Sequence, residues 1–257
     1  MIRKAFSFVT LSLMSAFLIA VPLRVLHTND THGAYQPRSY GSGENARLLG
    51  GYVALEAHLS RLRAEVSRSI YLDAGDQQTG TVFAALEHNG AIGGAVIEVF
   101  NHLALDATTY GNHEFDYSLD NLRRLTKLAN YSFVSTNVIV SRTALPFGDK
   151  PTHIIKLDSL KVGIMGLTLT DLAEKVKIEN VRELFVKEYT YAINEYLDEL
   201  DSKTDLIILL THNGFEADSL LATMLDDRVD IIIGGHTHTY ISQPKQVNGI
   251  YILQAGS

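Results

Sequence analysis

The chain has no cysteine among its 257 residues and only five prolines. Without cysteine there is no disulfide, no thiolate metal ligand, no cysteine nucleophile and no lipidated cysteine anchor, so any bound metal must be held by nitrogen and oxygen. Basic residues are outnumbered, 22 Lys and Arg against 29 Asp and Glu for a net charge of −7, and they form no block. A sequence-independent grip on nucleic-acid phosphates needs clustered positive charge, so a nucleic-acid polymer is not an expected partner. No repeat, low-complexity tract or proline-rich linker divides the chain. At this length, with 46% hydrophobic residues, it can bury the core of one α/β domain.

Long apolar runs are also missing, with one exception at the start. Arg3 and Lys4 precede an uncharged stretch, residues 5–20, that contains four Ser or Thr. A short basic segment followed by an apolar one is the anatomy of a signal peptide. These 16 residues fall short of the roughly 20 that a membrane-spanning helix needs. The expectation is a signal peptide over 1–20, cleaved after Ala20, and a catalytic domain over 21–257 that is exported to the periplasm or the cell exterior without stable membrane insertion. The alternative is an uncleaved N-terminal anchor, because Leu18 stands where a small residue is preferred before the cleavage point.

Beyond the leader, short β-branched runs alternate with helical patterns, the grammar of βαβ units. Strands are expected at 23–28, 69–72, 107–110, 132–137, 153–157, 161–167, 206–210, 231–233 and 250–254. Apolar residues recurring every three or four positions predict helices at 51–65, 91–103, 119–129, 186–200 and 217–225. Three residues follow the last expected strand. A domain seldom stops one step past a buried strand, so a truncated chain, an early stop or a missing following domain is expected.

Five of these strands run directly into side chains able to bind a metal. HTNDTHG carries Asp30 and His32, LDAGD carries Asp76, YGNHE carries Asn112, LLTHNG carries His212, and IIGGHTH carries His236 and His238. In an open α/β sheet the carboxyl ends of the strands form one rim where ligands bind, so residues far apart in sequence converge there. Asp, Asn and His suit zinc, manganese or iron. Two residues spaced i, i+2 in extended chain point the same way, which pairs Asp30 with His32 and His236 with His238. Seven donors exceed the needs of one four-coordinate ion and suit two ions sharing a carboxylate, for which Asp76 is the candidate. Taken singly, each has a bland explanation: a helix cap for an aspartate after a strand, a left-handed turn for Asn112, a structural hydrogen bond for a histidine. GNHE is more specific, since at roughly 5% usage per residue it arises on the order of once in 10⁵ positions.

The order D-x-H, G-D, G-N-H-E, a lone H and G-H-x-H resembles the signature of the calcineurin-like metallophosphoesterases. More narrowly, LHTNDTHG, GGYVAL, LDAGDQQTGT, TTYGNHEFD, IIGGHTHT and ILQAGS resemble the catalytic domain of the secreted 5′-nucleotidase and UDP-sugar hydrolase family, over residues 23–257. The resemblance implies a four-layer α/β/β/α sandwich with its metal site at the carboxyl ends of the strands. It implies two divalent ions, zinc, manganese or similar, the first held by Asp30, His32, Asp76 and His238 and the second by Asp76, Asn112, His212 and His236. Some nucleotidases of the family have glutamine where this chain has His238.

The implied reaction is removal of phosphate from a nucleotide or other small phosphoester by a metal-bridging hydroxide. His113 is the catalytic residue facing the leaving group and Asp116 the carboxylate that orients it. Glu114 is read as supporting or structural, and Asp73 as either a support of the ligand loop or a cap. His27, His58, His88, His102 and His153 are read as structural or surface residues. Family members usually carry a C-terminal domain that holds the nucleoside, with no counterpart in these 257 residues. The competing readings are a cyclic-nucleotide or nucleotide-sugar phosphodiesterase, a thiohydrolase-like enzyme, and a noncatalytic metal-binding fragment.

Overall fold

A computed structural model describes residues 22–148 and 150–257; the expected signal peptide lies outside them. Two sheets organise the chain. The first is all parallel, in the order β1 (Arg24–Thr28), β2 (Ser69–Asp73), β3 (Ala107–Thr108), β4 (Ser132–Phe133), with Arg24 opposite Ser69, Leu72 opposite Ala107 and Ala107 opposite Ser132. Parallel neighbours need a crossover, and α1 (Tyr52–Ala64), α2 (Gly94–His102) and α3 (Leu119–Leu128) lie in those connections. The second sheet contains β5 (Thr152–Leu157), β6 (Leu160–Thr168), β7 (Leu206–His212), β8 (Ile231–Gly234), β9 (Lys245–Val247) and β10 (Ile250–Leu253). Its order is β5-β6-β7-β8-β10-β9, parallel in the middle and antiparallel at both edges.

The alternation of side chains along each strand sorts the apolar residues into three layers of contact. Tyr71 packs with Leu59, Val96, Ile97, Phe100, Leu122 and Leu125 beneath α1, α2 and α3. Its neighbours Ile70 and Leu72 face the other way, into a core shared with Val162, Ile164, Ile208, Leu210 and Ile233 of the second sheet. Met165, Leu209 and Ile232 occupy the remaining face, against Ile193, Leu197, Leu200 and Leu221 from helices that include α4 (Phe215–Met224). The result is the expected α/β/β/α sandwich. Both sheets are covered on both faces, which explains the nearly continuous apolar runs of β7 and β8.

The strand predicted over 107–110 stops at Thr108, and the helix predicted over 91–103 begins at Gly94, behind a two-residue strand at Ala91–Ile92; two further elements differ more. The helix predicted over 186–200 is divided: Val186 closes a short strand, Leu184–Val186, and helices Tyr189–Asn194 and Leu197–Asp201 are separated at Tyr196, whose φ of −123° leaves the helical region. The break lets Ile193, Leu197 and Leu200 all reach the second sheet. The strand predicted over 132–137 stops at Phe133, and Val138–Val140 pairs instead with Leu145–Pro146 and Leu184–Val186. In between, Asn137 bonds to Thr168 at both its amide oxygen and nitrogen, so side-chain bonds replace the ladder.

The carboxyl ends of β1, β2, β3, β7 and β8 lead into the loops that carry the candidate ligands. No helix among the described residues is long and apolar enough to cross a membrane. Ile208 is completely buried between the sheets. Ile208→Ala is expected to cost about 2–5 kcal/mol in urea unfolding, with an unchanged m-value; a loss below about 1 kcal/mol would show that the sheets are not close-packed there.

Candidate active site

Five of the seven candidate ligands occupy left-handed backbone: Asp30 (φ 49°), His32 (48°), Asp76 (55°), His236 (79°) and His238 (50°). The expectation of extended i, i+2 pairs is therefore corrected, because both members of each pair are left-handed, with one residue between them. Such a conformation costs a non-glycine residue of order 1–3 kcal/mol and persists only where its surroundings impose it. The bland explanations also fail locally. Asn112 is right-handed, with φ −73°, and neither Asp30 nor Asp76 is followed by a helix to cap.

The seven side chains meet. Asp30 is buried, with its Oδ1 3.3 Å from His238 Nε2, 3.8 Å from His212 Nε2 and 4.0 Å from His32 Nε2. His32 Nε2 and His238 Nε2 are 3.2 Å apart. Asp76 Oδ2 lies 3.0 Å from His212 Nε2, and Asn112 Oδ1 lies 3.0 Å from His236 Nδ1. Asp30, His32 and His238 thus bring ligand atoms within 4.8 Å of one another, as do Asp76, His212 and His236, while His32, Asp76 and His113 form a third such group between them.

His212 tests whether these residues fit a cation. Its Nδ1 donates to the Ala74 carbonyl at 2.7 Å, which leaves Nε2 as the nitrogen that faces the site. That nitrogen is buried and lies 3.0 Å from Asp76 Oδ2 and 3.8 Å from Asp30 Oδ1. An imidazole fixed by a carbonyl on one nitrogen and open on the other is arranged as a metal ligand. Burial disfavours the charged ring, yet Asp76 and Asp30 outweigh burial and lift its pKa to about 10. Burial likewise opposes ionisation of Asp76, but His212 and His113 hold its carboxyl well below the usual range. Nitrogen and oxygen donors alone face the pocket, a set that fits divalent ions.

Glu114, left at supporting or structural by the sequence, has a definite position. Its buried carboxylate accepts four backbone N–H groups: Asp76 at 2.9 Å, Gln77 at 2.9 Å, Gln78 at 3.2 Å and Gly111 at 2.7 Å. Burial, then the charge of Asp76, push its pKa up to about 7 against those bonds. It ties the loop after β2 to the loop after β3. Gly111 is required there by space and not by φ, since a Cβ would collide with the Asp76 carboxylate. Asn29, which the sequence did not single out, donates to Asp30 Oδ2 at 2.6 Å and accepts from the Ala255 N–H at 2.7 Å. Asp73 is a support and not a cap: it accepts from Thr28 Oγ1 (2.6 Å), Gln77 Nε2 (3.0 Å), Gly75 N (3.1 Å) and Thr108 Oγ1 (3.1 Å), joining three strand ends.

His113 stands at the edge of the cluster, its ring 5.2 Å from that of His32 and nearly perpendicular to it. Its backbone N–H donates to Asp76 Oδ1 at 2.8 Å and its Nδ1 pairs with Asp116 Oδ2 at 2.6 Å. The Asp116 bond raises its pKa to about 8 against the effect of burial, so the ring is cationic at neutral pH. Asn180 steadies this turn by donating to the carbonyls of Phe115 and Asp116. Asp30, His32, His113 and His238 line a cleft of about 970 Å³, and His58 lines it as well. His102 pairs with Glu56 at the surface, and none of His27, His58, His88, His102 and His153 joins a ligand group among the described residues.

Comparison with known proteins agrees with this geometry. The calcineurin-like phosphoesterase family model matches residues 23–240. A snake venom 5′-nucleotidase of Gloydius brevicauda is 32% identical over 240 residues, which cover 85% of this chain and 37% of that protein. A 5′-nucleotidase precursor from Thermus thermophilus superposes with a TM-score of 0.81 at 29% identity, over 91% of this chain and 49% of that one. A sulfate thiohydrolase from the same organism shares the fold at 20% identity, with a TM-score of 0.81 over 94% of this chain and 53% of the other. The chain spans less than half the length of the curated relative.

Two substitutions test the supports. In Glu114→Gln the amide nitrogen faces two backbone donors, so unfolding should cost about 2–3 kcal/mol less, and titration with zinc or manganese should show binding 10–100-fold weaker; unaltered affinity would deny Glu114 a positioning role. Burial raises the Asp73 pKa from 3.8 to about 6. A raised carboxyl contributes stability that is fully present below pH 3.8 and lost as pH rises through about 6, on the order of 3 kcal/mol. Relative to the parent, Asp73→Asn should therefore gain stability between about pH 4 and 6.5 in chelator-treated urea titrations; a constant gap would refute the shift.

Proposed function

Because the chain belongs to the calcineurin-like phosphoesterase family, we propose that it is the catalytic domain of an exported hydrolase that removes phosphate from nucleotides with the help of two divalent cations. One observation carries the reading. Two nitrogen–oxygen donor groups adjoin through His32 and Asp76, and the hydrogen-bonded pair His113–Asp116 lies at their edge. Asp30, His32, Asp76 and His238 would hold one cation, and Asp76, Asn112, His212 and His236 the other. Cations so held would supply hydroxide near neutral pH and neutralise the phosphoryl oxygens.

The protein's own groups do the rest. Glu114 fixes the loop that aims Asp76, and the Asp76 carboxylate in turn receives the His113 N–H. In hydrolysis the oxygen of water bonds to phosphorus and the ester P–O bond breaks, leaving an alkoxide that is a poor leaving group until protonated. His113, whose charged form the Asp116 bond favours, donates that proton from Nε2 to the ester oxygen, while Asp116 holds its Nδ1 and the orientation of the ring. The products are an alcohol and inorganic phosphate. Nucleotides as substrates are supported by the 5′-nucleotidases at about 30% identity, and export by the basic and apolar segments over residues 3–20.

The metal-loaded protein is expected to hydrolyse p-nitrophenyl phosphate and AMP. Chelation should abolish turnover and added zinc or manganese restore it. His113→Ala should lower kcat about 10²–10⁴-fold while binding of the cations persists. Turnover no greater than that of Asn112→Ala would refute hydrolysis by this chain.

A further inference from the structure

One buried carboxylate takes no part in the donor set or in the proton path. Asp218, in the first turn of α4, is 1% exposed. Aspartate is almost never fully buried unless it is paired. Yet no Lys or Arg holds Asp218 and no backbone N–H donates to it among the described residues, so it neither balances a cation of the fold nor caps its helix. Burial pushes its pKa up to about 7, with the Thr211 hydroxyl and the Asn213 amide acting against burial.

Its surroundings are the ends of β7 and β8. Thr211 and Gly234 are partners in the ladder between those strands, the last pair before the strands separate. The Asp218 carboxylate lies over that pair: a Cβ on Gly234 would collide with Asp218 Oδ2 and would stand 3.4 Å from Thr211 Oγ1. Beside it, Asn213 Nδ2 makes a long hydrogen bond of 3.4 Å to Asp218 Oδ1. Thr211 and Asn213 are the chain neighbours of His212, and Gly234 stands two residues before His236. The two loops also meet directly, the Gly214 N–H donating to the Gly235 carbonyl at 3.1 Å, and the Asp218 N–H ties the start of α4 to the Gly214 carbonyl at 2.9 Å. One carboxylate thus touches both sides of one candidate ligand and the strand end that leads to another.

We propose that Asp218 is a positioning residue for the donor group that contains His212 and His236. Through Thr211 and Asn213 it fixes the ring of His212, and through Gly234 it fixes the turn that presents His236. It thereby sets the spacing of the two imidazoles, whose ring centroids are 5.3 Å apart. Asp218 does for β7 and β8 what Glu114 does for β2 and β3, by wedging a carboxylate between strand ends instead of gathering backbone N–H groups. The inference rests on the two-cation reading for the grouping of His212 with His236, and on the ladder end for the residue that orders them.

The test uses Asp218→Asn, with Glu216→Gln as a control that removes the same charge from an exposed position in the same turn. In chelator-treated protein, NMR of the histidine rings should show the His212 and His236 signals displaced by Asp218→Asn while those of His32 and His238 stay in place; Glu216→Gln should move none. In calorimetric titration with manganese or zinc, Asp218→Asn should weaken one of two binding steps by about tenfold or more and leave the other within about twofold, the scale of a group that orients a ligand. A carboxylate that served only the stability of the fold would lower the urea midpoint and leave the ring signals and both steps unchanged. That result overturns the proposal, as does displacement of all four rings or equal loss of both steps. A parent that binds fewer than two ions would overturn the two-cation reading, and the ring signals of the metal-free protein would still decide the role of Asp218. Where Asp218→Asn does not fold, Thr211→Val, which removes the hydroxyl and keeps the shape, takes its place with the same outcomes.

Discussion

One buried carboxylate holds the site together. Glu114 gathers four backbone N–H groups from two loops that are 36 to 38 residues apart in the chain across their longer bonds. Backbone donors buried without partners are costly, and two loops in contact would otherwise present several of them to a dry interior. By satisfying them together, Glu114 closes the gap between the ends of β2 and β3 and fixes where the Asp76 carboxylate can go. Gly111 makes the close approach possible, and the His113 N–H then bonds to the same carboxylate from the other side. The relative positions of Asp76, Gly111 and His113 follow from this junction.

The sandwich supplies the frame around it. Each sheet is apolar on both faces, so its strands have little freedom to slip in register without exposing the core. Asp73 and Asn29 extend the same logic to the edges of the site, the first joining the ends of β1, β2 and β3, the second joining the loop after β1 to the segment after β10. The buried polar side chains of Asp73, Asn29 and Glu114 are thus paired across the rim, while His212 Nε2 faces the carboxylates of Asp30 and Asp76.

Much of this was legible in the sequence. The apolar runs located the strands, and the polar clusters at their ends identified Asp30, His32, Asp76, Asn112, His212, His236 and His238 as a group, because a parallel sheet brings its carboxyl ends to one rim. Backbone conformation was not legible: nothing in the residue types at Asp30 or His238 announces a positive φ, which the packing of neighbouring loops imposes. Glu114 was seen but not placed, since its partners are backbone groups that carry no residue signature. The division of the helix over 186–200 was hidden because Ile193, Leu197 and Leu200 keep a helical spacing across the break.

The left-handed turns under five of the candidate ligands carry a further consequence. The conformational work of forming the donor set is done when the chain folds, so an arriving ion meets side chains already gathered and loses mainly its own water shell. Selection among ions then turns on size and hydration and not on how far the loops can adapt. A short peptide copied from any one of these loops would not inherit the site, because the strain that shapes it is supported from elsewhere in the molecule.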